Sequence, residues 1–299
     1  MFKAYDIRGR TDDGILSPDA ARAIGAAFSV FVEAPVVALG RDCRSSSPAL
    51  ARAFTDGAVS QGVDVLDLGE VATDTVYYVS GARGVPGAMI TASHNPPAYN
   101  GIKLCRAGAA PIGVESGLSE IRRMAEEGMA PADGTGKVES LDPIPGYVDH
   151  LLAIVDPASF SPLTVGVDGG NGMAGVVVET IFDRIAPILE GLYLEPDGSF
   201  PNHPADPIDP ANLVDLVGLV RDRGLDLGVA FDGDADRAFF VDDRGHPLSG
   251  STTTALIARW FLARHSGASI VHNLITSRAV PETVTAHGGH PVRTRVGHP

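Results

Sequence analysis

The sequence predicts an α/β protein of several domains, each a layered unit with a mixed sheet and helices on its faces, and with its active site at a domain cleft. Three observations carry this expectation. Short β-branched runs alternate with helical stretches along the chain, the pattern that lays helices onto sheets. A length of 299 residues outgrows one ordinary core. Between Glu127 and Pro145 the composition shifts to Gly, Ala, Pro and Asp without a period, as linkers between domains do. The division expected is 1–143, 144–249 and 250–299, the last a partial unit.

In the first segment, Ser17 reads as an N-cap with Pro18 at the first helical position, and Ala21, Ile24, Ala27 and Phe28 share one face. Val36 to Gly40 reads as a strand. Ser47 and Pro48 repeat the cap-and-proline signal for a helix through Leu50, Phe54 and Ala58 that stops at Gly62. Strands are expected at Val63 to Leu68 and Ala88 to Thr91. The second segment reads as strand Thr164 to Val167, the loop Asp168-Gly169-Gly170-Asn171-Gly172, helix Met173 to Arg184 and a strand near Ile188 to Leu194. The proline-rich run EPDGSFPNHPADPIDP follows, then helix Leu213 to Arg223 and strand Asp226 to Phe231. The third segment offers helix Thr253 to Arg264, strand Ser269 to His272, helix Arg278 to Ala286 and a strand near Val292. Fewer than about 50 residues do not easily bury a full α/β core.

A formal charge of −14 argues against nucleic acid, which needs a basic face. No apolar run approaches the roughly 20 residues that span a bilayer, and the opening MFKAYDIRG lacks a signal-peptide core. A cytoplasmic protein is expected. Cys43 and Cys105 have neither metal-ligand spacing nor a disulfide framework. Several of the 23 basic residues fall in glycine-containing turns: Arg8, Arg41, Arg44, Lys103 and Arg237. A small phosphorylated ligand needs only a few such cations in one cleft. Arg8, Arg41 and Arg44 are candidates for phosphate, with salt bridges to Asp6 and Asp42 as the competing use.

The segment FDGDADR places Asp232, Asp234 and Asp236 at the carboxyl end of an apolar strand, where open α/β sheets set their ligand crevices. Adjacent carboxylates repel unless a cation neutralises them, and Mg²⁺ fits hard oxygen ligands. A solvated acidic turn is the alternative, and an aspartate-nucleophile phosphatase a further one. In TASHNPPAYNGIK, Ser93 and His94 stand before Asn95-Pro96-Pro97 and ahead of Lys103. Adjacent residues rarely aim at each other as a hydrolase pair, and no G-x-S-x-G elbow surrounds Ser93. A rigid loop that presents one hydroxyl suits phosphoryl transfer, where positioning and charge stabilisation are the protein's work. His94 reads equally as a proton shuttle, a phosphate contact or a structural ring.

Together these motifs resemble the α-D-phosphohexomutase family, in its phosphomannomutase/phosphoglucomutase branch. KAYDIRG, GRDCRSSS, TASHNPPAYNGIK, VDGGNG, FPNHPADP, FDGDADR and NLITSRAVPE through RTRVGH occur in order along nearly the whole chain. The resemblance implies that Ser93 cycles between hydroxyl and phosphoserine and completes a magnesium site with Asp232, Asp234 and Asp236. It implies acid/base and charge-stabilising roles for Arg8, His94, Lys103 and Arg237, and weaker substrate contacts from Arg41, Arg44, Asn95 and His298. The reaction implied interconverts hexose 1-phosphate and 6-phosphate through a 1,6-bisphosphate, with glucose 1,6-bisphosphate as activator. KAYDIRG resembles the mannose/glucose branch rather than the phosphoglucosamine mutases. The Glu-x-Ser-Gly sugar loop and Ser-Gly-Thr phosphate clamp of the family have no counterpart here. A truncated member is therefore expected, lacking most of a third domain and all of a fourth. Weak or silent binding and residual phosphatase activity are the alternatives, and a second copy could cover an incomplete third unit.

Overall fold

A computed structural model describes residues 1–296, so His298 lies outside the described residues. The first unit contains β1 (Ile7–Arg10), α1 (Pro18–Phe31), β2 (Val36–Arg41), α2 (Ser47–Ser60), β3 (Asp64–Glu70), α3 (Thr73–Arg83), β4 (Gly87–Ile90), β5 (Tyr99–Arg106), β6 (Ala110–Pro111), α4 (Leu118–Glu127) and β7 (Val138–Ser140). Its strands form one sheet in the order β1-β5-β4-β2-β3-β7, with β6 on β5. β4, β2, β3 and β7 run parallel, whereas β5 is antiparallel to β4 and to β1. Hence the sheet is mixed.

Strands β1 and β5 were not among those expected, because Arg8, Gly9, Asn100 and Gly101 read as turn residues. Both strands are nevertheless required by the site. Antiparallel pairing sets Lys103 opposite Met89 on the strand that leads to Ser93, and Arg8 opposite Gly101 one strand further out. Gly101 is what allows this approach. A Cβ there would meet Ile7 O at 2.5 Å and Thr91 O at 2.6 Å.

Ser17 caps α1 as expected, accepting a hydrogen bond from the Ala20 amide at 3.2 Å. At α2 the expectation needs correction. The helix starts at Ser47 with Ser46 as cap residue and no side-chain cap bond. The Ser47 hydroxyl instead donates to Asp42 and accepts from Asn100. α1 and α2 cross closely through Gly25 and Gly57, and Phe28 and Phe54 pack ring to ring at 5.9 Å beneath them.

In the second unit, α5 (Ile144–Ile154), β8 (Thr164–Asp168), α6 (Gly175–Phe182), β9 (Ile188–Leu192), α7 (Val214–Arg223), β10 (Leu227–Phe231) and β11 (Ala238–Val241) follow in turn. The sheet order is β11-β10-β8-β9. Its strands are parallel except β11, which folds back on β10 with Phe231 opposite Ala238. The acidic segment is thus the turn of a hairpin. The last unit has α8 (Gly250–Leu262), β12 (Ser269–Asn273), α9 (Ala279–Ala286) and β13 (His290–Thr294), with β12 and β13 paired in parallel. Its small core joins Ala258, Leu262, Val280 and Val284, while Leu256, Ile257, Trp260, Val271 and Val292 stay exposed.

A methyl group at Gly57 would overlap the Arg22 carbonyl on the facing helix. Gly57→Ala is accordingly expected to cost about 1–3 kcal/mol through overpacking, read as a lower urea midpoint. An unchanged midpoint would contradict the close crossing.

Candidate active site and metal centre

Strand β4 delivers the chain into a tight loop. The Ser93 amide donates to Thr91 Oγ1 at 3.0 Å, Asn95 N to Ala92 O at 3.1 Å and Tyr99 N to Pro96 O at 3.0 Å. Ser93 itself takes a left-handed backbone, φ 54°. That conformation is uncommon for a residue with a side chain and persists only where its surroundings enforce it. Its side chain is buried, and Ser93 Oγ donates to Asp232 Oδ2 at 2.6 Å.

The hairpin turn between β10 and β11 supplies the opposing wall. One oxygen each from Asp232, Asp234 and Asp236 lies within 4.8 Å of the others. Asp232 and Asp234 are buried, whereas Asp236 keeps some solvent. Gly233 brings the turn against the serine loop, since a Cβ there would meet Ser93 O at 2.5 Å. The N-terminus of α3 reaches over from the first unit. Thr73 N donates to Asp234 O at 3.0 Å and Thr73 Oγ1 to Asp234 Oδ2 at 2.6 Å.

Two cations offset this negative charge. Lys103 Nζ bridges Asp234 at 2.5 Å and Asp236 at 2.6 Å. Arg237 Nη2 pairs with Asp232 at 2.5 Å, donates to Ser93 Oγ and reaches His94 Nδ1 at 2.6 Å. The carboxyls part company in consequence. Burial, reinforced by Asp234 and Asp236, pushes Asp232 up to about 7. At Asp234 burial acts in the same direction, but the Lys103 ammonium and Thr73 hydroxyl outweigh it and hold the carboxyl at about 2. Lys103 stands above its ordinary value because its two carboxylates overcome the burial penalty. His94 is pushed down by burial and by Arg237. Its Nδ1 accepts from a guanidinium, so that nitrogen carries no proton.

Asp234 Oδ1 is buried and has no hydrogen-bond partner. An orphaned carboxylate oxygen in a cluster of three is what an oxygen-ligated divalent cation would satisfy. The donor set fits a metal ion.

The cleft between these walls has a volume of about 490 Å³ and is lined by Arg8, Ser93, His94, Lys103, Asp236 and Arg237, with Tyr5, Asp6, Asp74 and Tyr77 beside them. Arg8 Nε pairs with Asp6 at 2.7 Å and its Nη1 donates to Asn95 Oδ1 at 2.5 Å. Asn95 therefore faces Arg8 and a neighbouring pocket rather than the cleft. Arg41 also lies off the cleft lining, near Asp67 and Glu70 at 3.9 and 3.7 Å. Arg44 departs furthest from the expectation of a substrate contact. It is 0 % exposed, and its side chain is spent on Asp42 and on backbone carbonyls.

Sequence reasoning missed Thr73 and Asp74. Their only signal was a polar pair at the start of a helix whose apolar periodicity is weak. Asp74 is raised to about 6 by burial and then by Asp236 and Asp234, which adds a further carboxyl to the cleft. Also missed was the pair His203 Nε2 with Asp168 Oδ2 at 3.0 Å. It ties the proline-rich loop to the Asp168–Gly172 turn.

Comparison with known proteins gives this geometry a family. Models described as phosphoglucomutase/phosphomannomutase α/β/α domains I, II and III match residues 1–131, 145–245 and 249–299. Phosphomannomutases of Salmonella montevideo and Escherichia coli K12 are each 40% identical across 99% of the chain and 67% of their own length. A crystal structure of a phosphoglucomutase/phosphomannomutase family protein from Burkholderia thailandensis superimposes with a TM-score of 0.91 at 34% identity, covering 99% of this chain and 66% of that one. The chain thus spans about two thirds of the length of these relatives. On the match of all three domain models and of these phosphomannomutases, the chain belongs to the phosphoglucomutase/phosphomannomutase family of phosphohexomutases.

Proposed function

We propose that this chain carries the phosphoserine and metal machinery of a cytoplasmic hexose phosphate mutase acting on mannose and glucose phosphates. The observation that carries the reading is a buried serine hydroxyl hydrogen-bonded to one carboxylate of a three-carboxylate cluster, across a cleft lined with cations. Asp232, Asp234, Asp236 and an oxygen of Ser93 would hold Mg²⁺, which when bound supplies Lewis-acid charge at the transferring phosphoryl group. The domain bounds 1–143, 144–249 and 250–299 serve as the working division.

In the first half-reaction a free hydroxyl of the hexose monophosphate attacks the phosphorus of phosphoserine 93. The bond from phosphorus to Ser93 Oγ breaks and Oγ takes up a proton, the attacking hydroxyl gives up its proton to a base in the cleft, and a hexose 1,6-bisphosphate results. After the bisphosphate reorients, the Ser93 hydroxyl gives up its proton to a base in the cleft as Oγ attacks the other phosphorus, the bond from that phosphorus to the sugar oxygen breaks, and the sugar oxygen takes up a proton as the isomerised monophosphate leaves. Lys103, Arg8 and Arg237 would balance the charge of the phosphoryl oxygens. His94, neutral and held by Arg237, is placed to pass a proton. Glucose 1,6-bisphosphate would act as activator by restoring phosphoserine whenever it is lost.

Isomerisation of mannose 1-phosphate and glucose 1-phosphate tests the reading. Multiple turnover with Mg²⁺ and catalytic bisphosphate is expected, with loss of at least about 10³-fold in Ser93→Ala. Inorganic phosphate released without isomerisation would instead identify a phosphatase and overturn the mutase. A second expectation concerns pH. A ligand must lose its proton before it takes a metal ion, and Asp232 holds its proton up to about 7. Mn²⁺ affinity measured by calorimetry should therefore weaken by up to about tenfold per unit below that value. Affinity independent of pH across this range would contradict the assignment of Asp232.

A further inference from the structure

We propose that Arg44 is a positioning residue for Ser93, holding the serine loop by its carbonyls and fixing it against the second unit. The proposal rests on the reading of Ser93 as the phosphoryl carrier. Every N–H of the guanidinium is used. Nε donates to Asp42 Oδ2 at 3.1 Å, Nη1 to Pro96 O at 2.8 Å and Tyr99 O at 3.1 Å, and Nη2 to Ser93 O at 2.7 Å and Asn95 O at 2.6 Å. Three carbonyls of one irregular loop, and that of Tyr99 where the loop enters β5, thus turn inward onto a single side chain. Buried carbonyls outside helices and strands need such donors, and no other residue type supplies five in a fixed plane.

The anchor of this bracket is equally well held. Asp42 accepts from the Arg44 amide at 3.1 Å and from the Ser47 hydroxyl. On its other side Arg44 stacks over Phe200 of the proline-rich loop, 5.0 Å from the ring centroid, a cation–π contact. Gly198 in that loop lies so near that a Cβ would overlap the Arg44 backbone. The same loop carries Ala205, which borders Gly233 of the metal turn. Arg44 therefore links both halves of the site without reaching the cleft. Its loss should displace Ser93 Oγ rather than weaken the grip on substrate. A misplacement of about 1 Å at a reacting atom costs on the order of 100-fold in rate.

Arg44→Lys keeps the charge but not the fork. The full chain carrying it is compared with the wild type by hydrogen exchange and by steady-state kinetics. We expect exchange at residues 92–100 to quicken at least about tenfold with α1 and the second-unit sheet unchanged. We also expect kcat to fall about 100-fold with KM within about threefold. Free guanidinium should restore part of the rate to Arg44→Ala and none to Arg44→Lys. Wild-type exchange in the loop, or equal loss through kcat and KM with exchange quickened throughout, would overturn the proposal. Should the wild type itself not turn over, the functional reading fails while loop exchange alone decides this one. Should Arg44→Lys not fold, Phe200→Leu is read in its place, with the same direction and a smaller effect expected.

Discussion

Mutual repulsion among three carboxylates at the end of one strand is the constraint to which the rest of the structure answers. Asp232, Asp234 and Asp236 converge within 4.8 Å, and two of them are shut away from water. Unscreened like charges at that separation cost more than a surface could tolerate. The surrounding fold supplies the offset. β5 runs against its neighbours and brings Lys103 to Asp234 and Asp236, while the hairpin return places Arg237 on Asp232. Thr73 contributes a hydroxyl and an amide from the start of α3. Asp234 remains ionised, Asp232 is driven toward neutrality, and Asp234 Oδ1 is left unpaired.

This arrangement belongs to the contact between units and not to either alone. The serine comes from the first sheet and the carboxylates from the second. Gly233 lets the two loops touch, Cys43 Sγ donates to Asn171 O at 3.5 Å, and Thr73 crosses to the acidic turn. Behind them the His203–Asp168 pair keeps the proline-rich loop in place. A shift of one unit against the other would part Ser93 Oγ from Asp232 before any side chain changed rotamer. Tight loop-to-loop packing at the cleft is thus the physical form that preorganisation takes here.

The sequence was most readable where local chemistry and local geometry coincide. FDGDADR stands out because acidic side chains alternating after an apolar run have few structural uses. The Ser93 loop is readable through Pro96, Pro97, Asn100 and Gly101, which restrict the backbone. Arg44 was misjudged for the opposite reason, as a guanidinium in a polar motif looks the same whether it faces a ligand or a ring of carbonyls. β1 and β5 escaped because Gly9, Asn100 and Gly101 weaken the strand pattern at the points where close approach requires them. Thr73 and His203 act across a distance of more than a hundred and of 35 residues respectively, and no periodicity signals such partners. The third unit was expected to be small, and its described residues form two helices on a two-stranded sheet with apolar side chains still exposed.

The central claim is that Ser93 carries the phosphoryl group beside the carboxylate cluster. Its most direct test is intact-mass measurement of the purified chain after incubation with Mg²⁺ and glucose 1,6-bisphosphate, with the added mass located by peptide fragmentation. One phosphoryl group on Ser93, absent from Ser93→Ala, is the predicted result. A phosphoryl group on an aspartate of the 232–236 turn, or a wild-type chain left unmodified, would contradict it.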